Sequence, residues 1–308
     1  MTPDAPPSTA TGIALKLASV VAFTVMAAML KSVSGRVPPG EMVFFRSAFG
    51  ILPIVIWLAV THELSGGMRV QKPFAHILRG VIGTTSMALG FAALAYLPLP
   101  EATAIGYAAP ILTVIFAALL LGERVRLVRS SAVVLGMVGV LIVLWPQIGG
   151  HAGRSEMIGA ALALGGACCT GLVMIQIRRM VATERTSAIV FWFSLTATMM
   201  ALFTLPFGWV MPTAREAMLL IGAGLIGGTS QILMTAAYRH ADASVVAPFE
   251  YASIVVALIL GYTVFGQTPA VTTLIGAAVV IAAGVLIIWR EGQLGLERRQ
   301  RKATTPHG

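Results

Sequence analysis

The sequence predicts an all-α integral membrane protein, with ten transmembrane helices in two five-helix repeats of inverted topology. Three observations lead there. Of the 308 residues, 57% are hydrophobic and 11% charged, with a mean hydropathy of +0.88. An ordinary soluble domain carries about 25% charged residues, and a soluble globule of this size could not cover its surface with so few. Ten apolar runs approach the ~20 residues that a membrane-spanning helix needs. Finally, the sequence matches itself at an offset of 144 residues.

The apolar runs fall at residues 11–33, 42–61, 74–97, 101–121, 128–146, 156–177, 187–210, 214–237, 243–265 and 270–289. Their hydrophobicity extends nearly all round each helix, as it does where lipid or other helices surround a span. A lipid-facing barrel would need shorter segments of alternating polarity. Residues 1–10 are polar and rich in Pro, Ser and Thr, and are expected to form a disordered cytoplasmic tail. No basic stretch precedes a cleavable signal, so the first span is expected to be retained. Pro98 and Pro100 separate spans three and four. Glu123, Arg124, Arg126 and Arg129 separate four and five, and Gln267, Thr268 and Pro269 separate nine and ten. No connection can hold a folded soluble domain, which puts any function inside the helix bundle.

The formal charge of +9 sits where membrane helices are flanked. Arg298, Arg299, Arg301 and Lys302 cluster in a basic cytoplasmic tail, residues 291–308, which reads as a membrane flank rather than a nucleic-acid surface. With both termini on one side, that side takes fifteen Lys and Arg, Arg79 among them; the other takes Lys31, Arg36, Arg154 and Arg215. This bias predicts a chain in the cytoplasmic (inner) membrane with both termini in the cytoplasm, and an even number of spans. Cys168 and Cys169 are adjacent, and neighbouring helical side chains point about 100° apart. They read as small packing residues, not a disulfide or a metal site.

Sliding the sequence by 144 residues aligns 77–145 with 221–289 without a gap, giving fourteen identities in 69 positions. Roughly one match in ten is expected at random from so apolar a composition. Gly83-Thr84-Thr85-Ser86 falls on Gly227-Gly228-Thr229-Ser230, and Tyr107-Ala108 falls on Tyr251-Ala252. Each unit, 11–148 and 154–290, holds five spans. Five is odd, so the second unit must enter the membrane from the opposite side. Many secondary transporters use this arrangement, in which two packings of similar halves open a midplane site to one side or the other.

Phe44-Phe45-Arg46 in span two, and the run from Tyr107 through Pro110 to Leu121-Gly122-Glu123, resemble the drug/metabolite transporter superfamily in its EamA-domain branch. The resemblance covers residues 11–290. Within that branch the sequence is most similar to bacterial exporters of the aromatic amino-acid and paraquat type, with S-adenosylmethionine carriers as near relatives. The second half departs from the pattern: Gln267 stands where the family often has Glu, and Trp192 lies opposite Arg46. The resemblance implies a secondary transporter that exports amino acids or related small amphipathic metabolites. A nucleoside-like cargo is the alternative.

A charge at the bilayer centre costs around 3 kcal/mol, so each ionisable group inside a run needs a reason. Glu250 lies about seven residues, or roughly 10 Å, into span nine, too deep for its short side chain to reach the interface. It is a partner for a substrate ammonium or a proton, or else half of a structural ion pair or a carboxylate solvated at the helix end. Lys16, near the start of span one, is long enough to snorkel to the interface. Arg46 is a path residue by resemblance, or an interfacial or helix-packing one. Glu101 begins span four, where a carboxylate suits the positive helix end.

Among uncharged residues, Thr85 and Ser86 in span three, Gln231 in span eight and Gln176 in span six are candidates to face a cavity. Gly80, Thr84, Gly224 and Gly228 form small-residue strips that let helices approach closely. Tyr107, Tyr251 and Trp192 lie well inside their spans, and an aromatic ring with one polar atom suits an amphipathic organic guest. The expected path is therefore lined by Glu250, Tyr107, Tyr251, Gln176, Gln231, Thr85, Ser86, Trp192 and Arg46.

Other classes fare worse. The sequence holds no Gly-x4-Gly-Lys-Ser/Thr phosphate loop and no His-Glu-x-x-His helix. Its only aspartates, Asp4 and Asp242, are not at mid-span, which disfavours a paired-Asp intramembrane enzyme. No charged ring or filter loop marks an ion channel. No cofactor or metal is expected; the expected partners are a small organic metabolite, in particular an amino acid, and the lipid bilayer. The sequence leaves the oligomeric state open.

Overall fold

A computed structural model describes residues 9–62, 64–121, 127–148, 153–180, 183–240 and 247–286. The expected basic tail, most of the N-terminal tail, and Glu123, Arg124, Arg126 and Asp242 lie outside the described residues. The helices are α1 (Thr9–Val33), α2 (Pro39–Val60), the single turn α3 (Leu64–Gly67), α4 (Pro73–Tyr96), α5 (Leu99–Gly106), α6 (Ala108–Leu121) and α7 (Leu127–Ile148). There follow α8 (Arg154–Met180), α9 (Thr186–Leu202), α10 (Ala214–His240), α11 (Ala252–Phe265) and α12 (Val271–Leu286). Tight 3-10 turns occupy Leu205–Phe207 and Ala247–Tyr251.

Among the described residues, six helical stretches are long and apolar enough to cross a membrane, and four shorter apolar helices fill the places of the other expected spans. Proline opens several of them. Pro39 and Pro73 stand at the first turn of α2 and α4, and Pro100 in that of α5, where a missing N–H breaks no helical bond. One expected end moves: the seventh span stops at Leu202 and turns through Leu205–Phe207 instead of running on to 210.

Two expected spans are interrupted. The fourth breaks at Tyr107, between α5 and α6, because Pro110 has no N–H to give the carbonyl four residues back. Among its described residues the ninth opens with the 3-10 turn Ala247–Tyr251 and becomes α-helical at Ala252; residues 243–246 of that run lie outside the described residues. It ends at Gly266, whose φ of +63° is a left-handed conformation that glycine adopts without cost. There the Gly266 N–H donates to Tyr262 O at 3.1 Å and the Gln267 N–H to Gly261 O at 2.8 Å, which satisfies two of the carbonyls that a helix end leaves open. The Gln267 side chain then accepts the Leu99 N–H at 3.1 Å, joining the end of span nine to the start of span four.

The main contacts come in pairs related by five spans. Span one (α1) packs along eight (α10) as three (α4) packs along six (α8). Span two meets eight as three meets seven, and spans two and seven meet each other. Glycine makes the closest crossing. A Cβ on Gly224 would stand 2.6 Å from the Phe49 side chain and 2.7 Å from Phe45 O, so α2 and α10 could not approach as they do. That is the role expected of this strip.

Two buried apolar clusters result. One joins spans three, four, five, six, nine and ten around Tyr107 and Tyr251; the other joins one, two, three, seven and eight, with Leu99 of span four and Ala257 of span nine, around Phe193. Polar ties close the ends. Lys31 donates to Leu94 O at 2.9 Å and Leu97 O at 2.6 Å, capping the C-terminal end of α4 with a cation. Arg36 pairs with Glu216, and at the other end Glu184 accepts the N–H groups of Gln71 (2.9 Å) and Lys72 (2.7 Å). Each tie joins loops that alternate threading puts on one face. Burial pushes the Glu184 carboxyl up, but the two N–H groups and His76, 3.4 Å away, outweigh it and hold it below the usual carboxylate range.

Candidate functional site

The repeat-related tyrosines stand at the two interruptions and meet there. Their ring centroids are 5.1 Å apart at 59°, a tilted contact of the kind aromatic pairs favour. The 3-10 turn frees backbone carbonyls from the helical ladder, and the Tyr107 hydroxyl uses them. It lies 3.3 Å from Glu250 O and 3.4 Å from Tyr251 O, and also bonds the Ser253 hydroxyl. Both rings are buried.

Beside them, Lys16 of α1 forms an ion pair with Glu250. The Lys16 side chain is 1% exposed and that of Glu250 is 49% exposed. The snorkelling expected of Lys16 does not occur, because a carboxylate within reach satisfies the ammonium better than a stretch to the interface. Glu250 thus takes the ion-pair role, with half its surface still open.

The other expected path residues are dispersed. Ser86 bonds Gly166 O and Thr170, tying α4 to α8, and Thr85 bonds Val81 O on an exposed face of its own helix. Gln176 donates to Ala75 O at 3.1 Å, and its side-chain oxygen is buried without a hydrogen bond among the described residues. Trp192 donates to Met68 O at 3.0 Å, anchoring the segment between spans two and three. Gln231 borders a narrow cleft with Trp57, Ser187, Val190 and Thr235.

Arg46 is drawn into the bundle. It is 7% exposed, with its guanidinium 5.8 Å from the centre of the Phe193 ring. The loop count puts Arg79 on the cytoplasmic side, yet it lies inside α4, 6% exposed, 4.0 Å from the centre of the same ring. Its position within the apolar run 74–97 is the sequence signal that singles it out. Among the described residues, Nε of Arg46 and Nε and Nη1 of Arg79 are buried without hydrogen-bond partners, and neither guanidinium forms an ion pair. A desolvated cation–π contact returns about 2 kcal/mol, whereas burying an ion costs several. The ring does not cover that cost for two like charges.

This combination of interrupted spans, mid-bundle ion pair and buried aromatics defines a multi-pass membrane transporter. The chain belongs to the EamA-like transporter family, whose profile matches it twice, over residues 10–145 and 157–289. The pseudopaline exporter of Pseudomonas aeruginosa is 29% identical over 277 residues, covering 90% of this chain and 95% of its own. The S-adenosylmethionine uptake transporter of Rickettsia bellii is 29% identical over 286 residues, covering 91% and 94%. The riboflavin transporter of Rhizobium johnstonii is 30% identical over 238 residues, covering 76% and 75%. One crystal structure, 21% identical, shares the fold at a TM-score of 0.64 over 92% of this chain and 99% of that one. The relatives' cargoes differ widely, so membership gives small-metabolite transport without giving the metabolite.

Proposed function

We propose that the protein is a secondary transporter that exports neutral amino acids, aromatic ones included, or related small amphipathic metabolites, by alternating access. The observation that carries this reading is the meeting of Tyr107 and Tyr251 at paired interruptions of spans four and nine, beside the Lys16–Glu250 pair. Broken spans expose carbonyls and ring faces within the bundle, where a zwitterion with an apolar body can bind. Glu250, half exposed, is the group poised to exchange Lys16 for a substrate ammonium or a proton.

The two halves, 11–148 and 154–290, act as inverted repeats in this reading. The double family match and the contacts paired five spans apart support it. The charge bias favours an inner-membrane chain with both termini cytoplasmic. S-adenosylmethionine is the second cargo, favoured by the Rickettsia relative; it too is an amino acid, bearing a nucleoside. Purified protein in liposomes, offered radiolabelled phenylalanine, tryptophan, threonine and S-adenosylmethionine with and without a pH gradient, tests the proposal. Saturable flux of the neutral amino acids is expected. Flux of S-adenosylmethionine alone transfers the protein to the nucleoside-like carriers, and flux of none rejects both cargoes.

A further inference from the structure

The strongest repeated motif in the sequence has a structural consequence at Phe193. Gly83 and Gly227 are equivalent at the 144-residue offset, and each lies against one of the buried arginines. A Cβ on Gly83 would stand 2.9 Å from the Phe193 ring and 3.0 Å from Nη1 of Arg79. One on Gly227 would stand 3.4 Å from Nε of Arg46. The two halves thus each supply a bare stretch of helix beside a guanidinium, and both guanidinium groups face one aromatic ring.

Two buried cations sharing a ring, with no carboxylate of the described chain to answer them, form an electrostatic site that lacks its counter-charge. We infer that Arg46 and Arg79, with Phe193 between them, bind the carboxylate of the transported metabolite. This rests on the transporter reading and narrows its cargo to molecules bearing a carboxylate. Guanidinium suits that group because its planar donors match carboxylate oxygens and it stays charged when desolvated. The paired location matters too: Arg46 is on span two, Arg79 on span three, and Phe193 on span seven, so an anion between them touches both halves. Both guanidinium groups belong to the first half and the ring to the second, so the anion is held at the seam between them.

The test uses the purified full-length protein in detergent at constant salt, with thermal unfolding followed against four probes. These are L-phenylalanine, 3-phenylpropionate, its uncharged amide 3-phenylpropanamide, and inorganic phosphate. The two carboxylates are expected to raise the unfolding midpoint and the amide to leave it unchanged, a comparison that needs no variant. In Arg79→Gln the carboxylate response should weaken about tenfold in apparent affinity, and Arg79→Lys should recover part of it. Equal stabilisation by acid and amide, no response to either carboxylate, or a wild-type response in Arg79→Gln would overturn the inference. Stabilisation by phosphate alone would also overturn it, reassigning the arginines to a phosphorylated cargo. Phenylalanine flux that is unaltered in Arg79→Gln liposomes would sink this site and leave the transporter standing. Arginine-dependent carboxylate binding without flux of any amino acid would do the reverse.

Discussion

Lys16 and Arg79 are both basic side chains about two turns into apolar helices, and both are almost fully buried, yet the bundle treats them differently. Lys16 meets Glu250 within a cluster where the Tyr107 hydroxyl, Ser253 and the freed carbonyls are mutually bonded. Arg79 meets an aromatic ring and a second arginine. The first cluster is internally neutral; the second carries uncompensated charge. The difference separates a region whose charges answer each other in the resting fold from one that is completed from outside. Substitutions of the same kind should therefore have opposite signs in the two places.

The largest effect is expected at Glu250. Replacing it by Gln removes the carboxylate that pairs with the buried Lys16 ammonium. Breaking a buried pair costs 3–5 kcal/mol, discounted here to about 2–3 because the Glu250 side is half exposed. Lys16→Met leaves a carboxylate that water can still reach, so it should cost less, and the double variant should recover most of the loss. Thermal midpoints of the four proteins check this ordering; equal losses in the two single variants would break it. Transport by Glu250→Gln should lose or shift its pH dependence while the protein still inserts.

Gly284→Ala comes next. A Cβ there would collide with the Tyr251 ring and hydroxyl, and overpacking of this kind costs about 1–3 kcal/mol. The Tyr251 ring must shift from its contact with Tyr107 to make room, so transport should fall with stability. The carboxylate response at the arginines should persist, which distinguishes the two clusters. Arg79→Met should have the opposite sign: without ligand, removing a buried unanswered charge is neutral or stabilising by about 1 kcal/mol. A loss of several kcal/mol there would mean that Arg79 has a partner in the resting fold.

Much of this was legible before any coordinates. Apolar runs near bilayer length and glycine strips are one-dimensional signals, so the ten apolar helical segments, six of them long enough to cross a membrane, and the close crossing at Gly224 followed from the sequence. The equivalence of Tyr107 and Tyr251 was visible as well. Their meeting was not, because it depends on two interruptions far apart in sequence, one beside Pro110 and one at the turn Ala247–Tyr251, coming together in the bundle. Glu250 stood out by depth, but its pairing with Lys16 joins residues 234 positions apart, and pairing at such distance leaves no local pattern. Arg79 escaped because a count of flanking charges treats a basic residue near a span end as a loop residue.

The smallest expected effect lies outside both clusters, and serves as their control. Glu184 ties the segment before α4 to that before α9 through two backbone N–H groups, and its carboxyl is held below the ordinary range of about 4.3. A carboxyl with a lowered folded-state pKa binds protons more weakly folded than unfolded. Its stabilisation is fully present above the unfolded value and disappears as pH falls through the folded one. The wild-type protein should therefore be more stable than Glu184→Gln by about 1 kcal/mol near neutral pH, since hydrogen bonds to a charged acceptor outweigh those to an amide. Below about pH 4 the two curves should converge. Parallel curves from pH 3 to 7 would mean that the carboxylate charge does nothing for this junction and that the N–H groups need only an oxygen.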